Sequence, residues 1–269
     1  MYGILLAFKE FDFSLGILKS PWNNFQNFVD VFSNPDFFHA FRNTLFISVG
    51  RLVIEFPVPI VMALLLNEIT KSRLKRIYQT LFTFPHFLSW IILSGIIINM
   101  LSDQGIVNQV LLALGLEKNN ILLSNGPFVA SLFVSNIWKE AGWSTILYLA
   151  SIAGINPELY EAATVDGANR YQQMLAITWP TVKNTAIILL VLAVGNIMNG
   201  SFDQIFNLYN PTVYAYADTI DTYVYRATFV DATGFGYSTA VGLFKSVLNF
   251  ILLYSANYLA KVMGKEGGI

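Results

Sequence analysis

Residues 43–67 read NTLFISVGRLVIEFPVPIVMALLLN, an apolar run interrupted by one charged pair, Arg51 and Glu55. An α-helix rises about 1.5 Å per residue, and a bilayer's hydrocarbon core is about 30 Å thick, so a run of this length crosses it. The run has no alternation of apolar and polar side chains, so it is not a barrel strand. Arg51 and Glu55 stand four residues apart and share one helix face, where opposite charges can pair. They either line a translocation path or form a neutralised structural pair, and the pair is the favoured reading.

Four further runs of the same kind follow, at about 77–101, 127–153, 182–201 and 238–262. The expected fold is all-α, a polytopic membrane helix bundle of five visible spans in one transmembrane domain over residues 1–269. Residues 9–40, rich in Phe and carrying Pro21 and Pro35, read as an external or interfacial segment with short helices. Composition agrees. Of 269 residues, 55% are hydrophobic and 12% charged, against about 25% charged in a typical soluble domain. The mean hydropathy is +0.54. A net charge of -1 offers no basic field for nucleic acid. There is no Cys, which excludes disulfides and thiolate metal sites, and His39 and His86 are too few for a His-built metal centre.

Orientation follows from Lys and Arg. Lys71, Arg73, Lys75 and Arg76 crowd one short loop. Arg170 and Lys183 lie in or beside the polar stretch 154–181, and Lys261 and Lys265 lie in the tail. Five spans put these segments on one face, predicted to be cytoplasmic together with the C-terminus. The opposite face carries Asp103, Glu117 and, in the loop 202–237, Asp203, Asp218, Asp221 and Asp231. Residues 1–40 are then external. Met1–Phe8 is too short for a signal peptide and runs straight into Lys9 and Glu10. The odd count predicts a first span upstream of Met1; the alternative is a five-span protein with a translocated tail.

The polar stretch contains INPELYEAATVDGANRYQQMLAITWPT at 155–181. Asn156-Pro157 reads as a helix start, with Pro at the first helical position. Glu158 and Glu161 suit the first turns electrostatically. Asp166-Gly167 reads as a helix end. A second short helix over roughly 168–178 carries Ala168, Tyr171, Met174, Leu175 and Thr178 on one stripe, and Trp179-Pro180 is expected to close it. Leu159, Tyr160, Ala162 and Ala163 are apolar knobs that a solvated loop does not need, which points to a protein partner.

This stretch resembles the EAA motif of ABC importer permeases: Glu-Ala-Ala, three residues, Gly, nine residues, Ile, one residue, Leu-Pro. Here the matching positions are Glu161-Ala162-Ala163, Gly167, Ile177 and Pro180, and Trp179 stands where Leu is usual. Asp166 and Ala168 give the Asp-Gly-Ala form common in the sugar-uptake branch. The runs MYGILLAFKEF, KRIYQTLFTFPHFLSW and ADTIDTYVYR extend the resemblance, toward permeases for oligosaccharides and complex polysaccharides. In that branch MYGILLAFKEF lies just after the first span, which favours the upstream helix. The resemblance implies a bacterial plasma-membrane protein that pairs with a second, homologous permease. It implies a coupling helix seated in a cytoplasmic ATPase dimer, an external sugar-binding lipoprotein and membrane lipid around the spans. It also implies Glu161 at the ATPase interface, with Ala162 and Ala163 small for close seating. No cofactor is expected on this chain. It has no Gly-x-x-x-x-Gly-Lys-Ser/Thr, so ATP is left to the partner and the chain is not itself an enzyme. The alternatives are a permease for a non-sugar solute, or a secondary transporter or channel, which is disfavoured because inverted repeats and broken helices, its expected signs, are not seen in the sequence.

Polar residues inside the spans are the substrate-path candidates. Lys139 and Glu140 are adjacent, about 100° apart on a helix, and are expected to have separate partners. Trp143 offers an aromatic face for sugar C–H surfaces, and Trp138 is contact or packing. Asn196 and Asn199, at i and i+3 on one face with Gly195 and Gly200 beside them, either meet substrate or bond between helices. Lys245 faces a similar choice, with Glu140 a conceivable partner. Pro85-His86 reads as a kink, with His86 bonding freed carbonyls. Tyr209, Tyr214, Tyr216, Tyr223 and Tyr225 contact a binding protein, line an entrance or form an interfacial belt.

Overall fold

The structure, a computed structural model, describes residues 2–199, 202–231 and 234–262, without the side chains of 259, 260 and 262. Gly200 and Lys265 lie outside the described residues. Within them the regular structure is helical, apart from one antiparallel bridge between Lys9 and Trp22. Four helical segments are long and apolar enough to cross a membrane: Pro35–Asn67, Trp90–Ala113, Arg170–Gly195 and Phe235–Tyr258. A fifth helix, Asn125–Ala153, has the length at 29 residues and carries Lys139 and Glu140 midway.

The first segment starts at Pro35, earlier than its apolar run. Asn34 Oδ1 accepts the Asp36 amide at 2.9 Å, so an Asn-Pro pair starts the helix. At Arg51–Glu55 the helix widens into a π-turn, and the Phe56 amide reaches back five residues to the Arg51 carbonyl at 3.0 Å. Pro57 supplies the cause. A proline ring collides with the carbonyl four residues back, here that of Val53, and an extra residue in the turn moves that carbonyl away. The same device recurs at Met174–Thr178, one residue ahead of Trp179-Pro180. The pair therefore does not close the second short helix, as its sequence suggests. The chain runs on, and Arg170–Gly195 is one helical segment.

The run 77–101 is not one continuous helix. It divides into Ser72–Thr83, a tight 3-10 turn at Phe84–Phe87 around Pro85, and Trp90–Leu101. Leu88, in extended backbone, makes the break. A second interruption at 102–105 separates Trp90–Leu101 from Ile106–Ala113. It is closed by the Gly105 amide on the Ser102 carbonyl at 2.9 Å and held by the buried Asn108 side chain, which donates to Ser102 O. The expectation of unbroken helices is thus corrected: interrupted helices are present here, and they do not by themselves separate a secondary carrier from a permease.

The chain divides into two compact units. One comprises Met1–Val49, Ser94–Val129 and Gly195–Leu252. Its core includes Phe37, Met198, Ile220, Tyr223, Ala240 and Val241. The buried Asn43 amide donates to the Ala215 and Asp218 carbonyls, and Thr44 Oγ1 accepts the Ile220 amide at 2.9 Å. These bonds fix the helix Ile220–Phe229 against Pro35–Gly50. The other unit comprises Gly50–Leu93, Ala130–Val194 and Leu253–Ile269. Ile60, Ala63, Tyr148, Ile152 and Val182 form its core. There Gly142 lets the helix Asn125–Ala153 come against the Phe82 main chain, and Thr145 Oγ1 donates to the Ala141 and Pro59 carbonyls. In lipid, apolar surface gains little from leaving its solvent, so small-residue contacts and such hydrogen bonds hold helices together.

Candidate functional site

The segment 154–181 folds as two helices about a glycine. Asn156 caps the helix Pro157–Val165, accepting the Glu158 amide at 3.1 Å. The helix ends in a Schellman motif: the Ala168 amide bonds to Ala163 O at 2.8 Å and the Gly167 amide to Thr164 O at 3.1 Å. That closure needs a left-handed residue, and Gly167 has φ +81°. Asn169 and Gln172 form a capping box that starts the next helix. Gln173 Nε2 donates to Thr164 Oγ1 at 3.0 Å and to Ala168 O at 3.1 Å, bracing the two helices. The Tyr160 hydroxyl meets Thr178 Oγ1 at 2.9 Å, tying the first helix to the base of Arg170–Gly195.

This braced hairpin presents an exposed surface that mixes apolar and acidic side chains. Leu159 and Val165 are 53% and 88% exposed. Glu161, Ala162 and Asp166 are exposed as well, while Ala163 and Ile177 are half-buried and Pro180 is exposed. Of the expected knobs, Tyr160 turns partly inward to hold the hairpin.

A second cluster lies where Asn125–Ala153 meets the Phe84–Phe87 turn. Glu140 Oε2 pairs with His86 Nδ1 at 2.7 Å, and Lys139 Nζ donates to His86 O at 2.6 Å. Lys139 Nζ also stands 3.3 Å from Glu140 Oε1 and lies over the Trp90 ring. The expectation of separate partners is therefore corrected. The flexible lysine stem overcomes the 100° offset, and one residue, His86, serves both. Trp143 stacks on His86 with centroids 4.4 Å apart and rings 3° from parallel. Trp138 is exposed. Sequence reasoning missed His86 as the organiser of this site; the Pro85 break was its only signal. Arg51 and Glu55 remain paired at 3.8 Å, and Asn136 Nδ2 donates to Glu55 Oε2.

Lys139 is buried, so removing its ammonium leaves a carbonyl and a carboxylate without their cation. Lys139→Met is expected to cost about 3 kcal/mol. Adding Glu140→Gln should recover part of that loss, both read as the thermal midpoint of the purified protein.

The other candidates stand differently from their expected places. The helix ends at Gly195, so Asn196 and Asn199 are not on a helical face but in the turn that follows. There Asn199 Nδ2 donates to Asn196 Oδ1 at 2.9 Å, and Asn249 on the last helix receives the Met198 amide at 3.2 Å. Lys245 pairs with Asp221 of the helix Ile220–Phe229, not with Glu140. Arg226 holds Asp218 at 2.6 Å and lies over the Tyr214 and Tyr223 rings. Burial pushes the Asp218 carboxyl up from the usual carboxylate range, against the Thr222 hydroxyl and Arg226, which pull it down. Tyr223, buried and bonded to Tyr237, is core; Tyr216 and Tyr225 are exposed.

Residues 55–265 match the family described as the binding-protein-dependent transport system inner membrane component. The chain is 43% identical over 268 residues to protein LplB of Bacillus subtilis, covering 99% of this chain and 84% of that protein. It is equally 43% identical over 268 residues to the polygalacturonan/rhamnogalacturonan transport system permease protein YteP of the same organism, covering 99% and 83%. Its fold matches a chain of a bacterial ABC transporter involved in the import of the acidic polysaccharide alginate. The TM-score is 0.88 and the identity 38%, over 96% of this chain and 87% of that one. The braced hairpin, the spans and these likenesses agree: the chain belongs to the family of inner membrane components of binding-protein-dependent transport systems.

Proposed function

We propose that this chain is the permease subunit of an ATP-driven importer of oligosaccharides, working beside a second, homologous permease. The exposed, braced helix Pro157–Val165 carries the reading. It seats on a cytoplasmic ATPase dimer, with Glu161 at the interface and Ala162 and Ala163 allowing close approach. Closure of the ATPase dimer moves this helix. The Tyr160–Thr178 and Gln173–Thr164 bonds pass the displacement into Arg170–Gly195, and the path switches between inward and outward access. The ATPase hydrolyses ATP, and an external binding lipoprotein delivers the sugar. The C-terminus is cytoplasmic, and the whole chain acts as one permease domain. The sugar path runs by Trp143 and the Lys139–Glu140–His86 cluster, with Asn196, Asn199 and Lys245 as further candidates. Support for the substrate class comes from the carbohydrate permeases and the alginate importer that the chain resembles.

The test is co-purification with the ATPase subunit. Glu161→Lys inverts the charge of an exposed side chain and leaves the fold intact. It is expected to reduce ATPase recovery at least tenfold, with uptake of labelled oligosaccharides falling in parallel. Unchanged recovery would sink the docking assignment; uptake of a different solute class by the wild type would sink the sugar assignment alone.

A further inference from the structure

Helix Ser72–Thr83 reads SRLKRIYQTLFT, and no residue of it is buried. Leu74, Ile77, Tyr78, Leu81 and Phe82 fall at i, i+3, i+4, i+7 and i+8, one apolar stripe. Ile77 and Leu81 on it are 54% and 61% exposed. At 100° per residue, Arg73 and Lys75 stand to either side of the stripe, and Arg76 lies on the opposite face. There is no acidic residue from 70 to 83. Among the described residues, Lys71, Arg73, Lys75 and Arg76 make no ion pair; the nearest acid in sequence, Glu68, faces Arg170 at 3.8 Å.

On the Arg76 face lies a cavity. Gln79, Thr80 and Thr83, at i+3, i+4 and i+7 from Arg76, line an open, mostly apolar space of about 600 Å³ with Phe82, from the edge of the apolar stripe, and Leu66, Phe87 and Leu149 among its other walls. Arg76 stands about 10 Å from the level of Thr83 along the helix axis. A basic group above an apolar cavity on one helix face has the amphipathic order of a phospholipid: an anionic headgroup, then an acyl chain.

We infer that this helix and cavity form a binding site for one anionic phospholipid. Its phosphate sits at Arg76, with Lys75 or Arg73 adding charge, and its acyl chain lies in the cavity. The choice of an anionic lipid rests on charge complementarity. Four cations without carboxylate partners favour a negative headgroup over a zwitterionic one, and guanidinium binds phosphate in fork geometry. The rest of the apolar stripe, Leu74 to Leu81, fits the surrounding bilayer, with Arg73 and Lys75 reaching to headgroup level beside it.

The experiment is native mass spectrometry of the full chain, purified with the subunits it assembles with, after exchange into equal phosphatidylglycerol and phosphatidylcholine. The expected result is retention of phosphatidylglycerol over phosphatidylcholine by at least fivefold. Two variants test the two ends separately. R76Q removes the headgroup contact, and Ala150→Phe fills the cavity, which Ala150 also lines. Each alone should reduce retained phosphatidylglycerol at least threefold. Equal retention of the two lipids by the wild type overturns the proposal without relying on any variant. Loss in R76Q but not in Ala150→Phe also overturns it, because the charge then acts only as diffuse surface attraction. A third readout uses the absence of cysteine from the chain. A spin label on Thr80→Cys is expected to report oxygen access typical of lipid. A label immobilised and shielded from oxygen would place a protein partner in the cavity instead and overturn the assignment.

Discussion

Gly167→Val is expected to reduce uptake at least fivefold while leaving the amount of protein in the membrane unchanged. Gly167 has φ +81°, and a Cβ built there meets nothing within 4 Å. The penalty is therefore purely one of backbone conformation. A β-branched residue held left-handed costs about 1–3 kcal/mol, and the Schellman closure opens by the corresponding factor. The helix Pro157–Val165 is exposed, so this cost falls on the hairpin and spares the rest of the fold. The order across substitutions is diagnostic. Asn tolerates the left-handed region and should stay near wild type, Ala should be intermediate, and Val should be worst. Measured side by side, uptake in Gly167→Val equal to that in Gly167→Asn would show that the closure plays no part in coupling.

Gly142→Ala is expected to destabilise the protein through a main-chain collision. A Cβ at Gly142 collides with the Phe82 carbonyl and lies 2.8 Å from the Thr83 amide nitrogen, both main-chain atoms that cannot rotate away. The helix Asn125–Ala153 and the helix Ser72–Thr83 must then separate. Overpacking of this kind costs about 1–3 kcal/mol. The separation also moves the adjoining Phe84–Phe87 turn, which carries His86, so the Glu140 and Lys139 contacts are strained together. Gly126→Ala on the same long helix is the control, since nothing lies within 4 Å of its Cβ. It should be neutral or slightly stabilising, because Ala is favoured over Gly by up to about 1 kcal/mol in a helix. Thermal midpoints of the purified protein in one detergent distinguish the two. If Gly142→Ala melts with Gly126→Ala, the close approach at Phe82 is not what holds these helices together.

Residues 155–181 show how far local pattern reaches. Asn156-Pro157 and Asp166-Gly167 use hydrogen bonds within a few residues, so the helix start and the helix end were legible, while the Asn169–Gln172 capping box, equally local, was not read. Trp179-Pro180 was misread for a physical reason. A proline inside a helix collides with the carbonyl four residues back; a π-turn ahead of it relieves the collision, and nothing in the single sequence announces a π-turn. The run through Arg51–Glu55 and Pro57 was read as one span and is one; only its π-turn was hidden. The break at Pro85 was legible as a kink, but not as the turn that divides 77–101.

What the sequence determined by itself was the character of each segment. Apolar length, the paucity of charge, the caps and the Glu-Ala-Ala spacing are properties of residues near one another in the chain, and hydrophobic period and hydrogen-bond geometry act over that range. Only the tertiary structure decided the partners. His86 meets Glu140 across 54 positions, Asp221 meets Lys245 across 24, and Asn249 reaches the Asn196–Asn199 turn across 50. A charge buried among helices takes whichever partner the packing brings within about 3 Å. That packing is set by backbone contacts such as Gly142 on Phe82, and no periodicity along the chain records them.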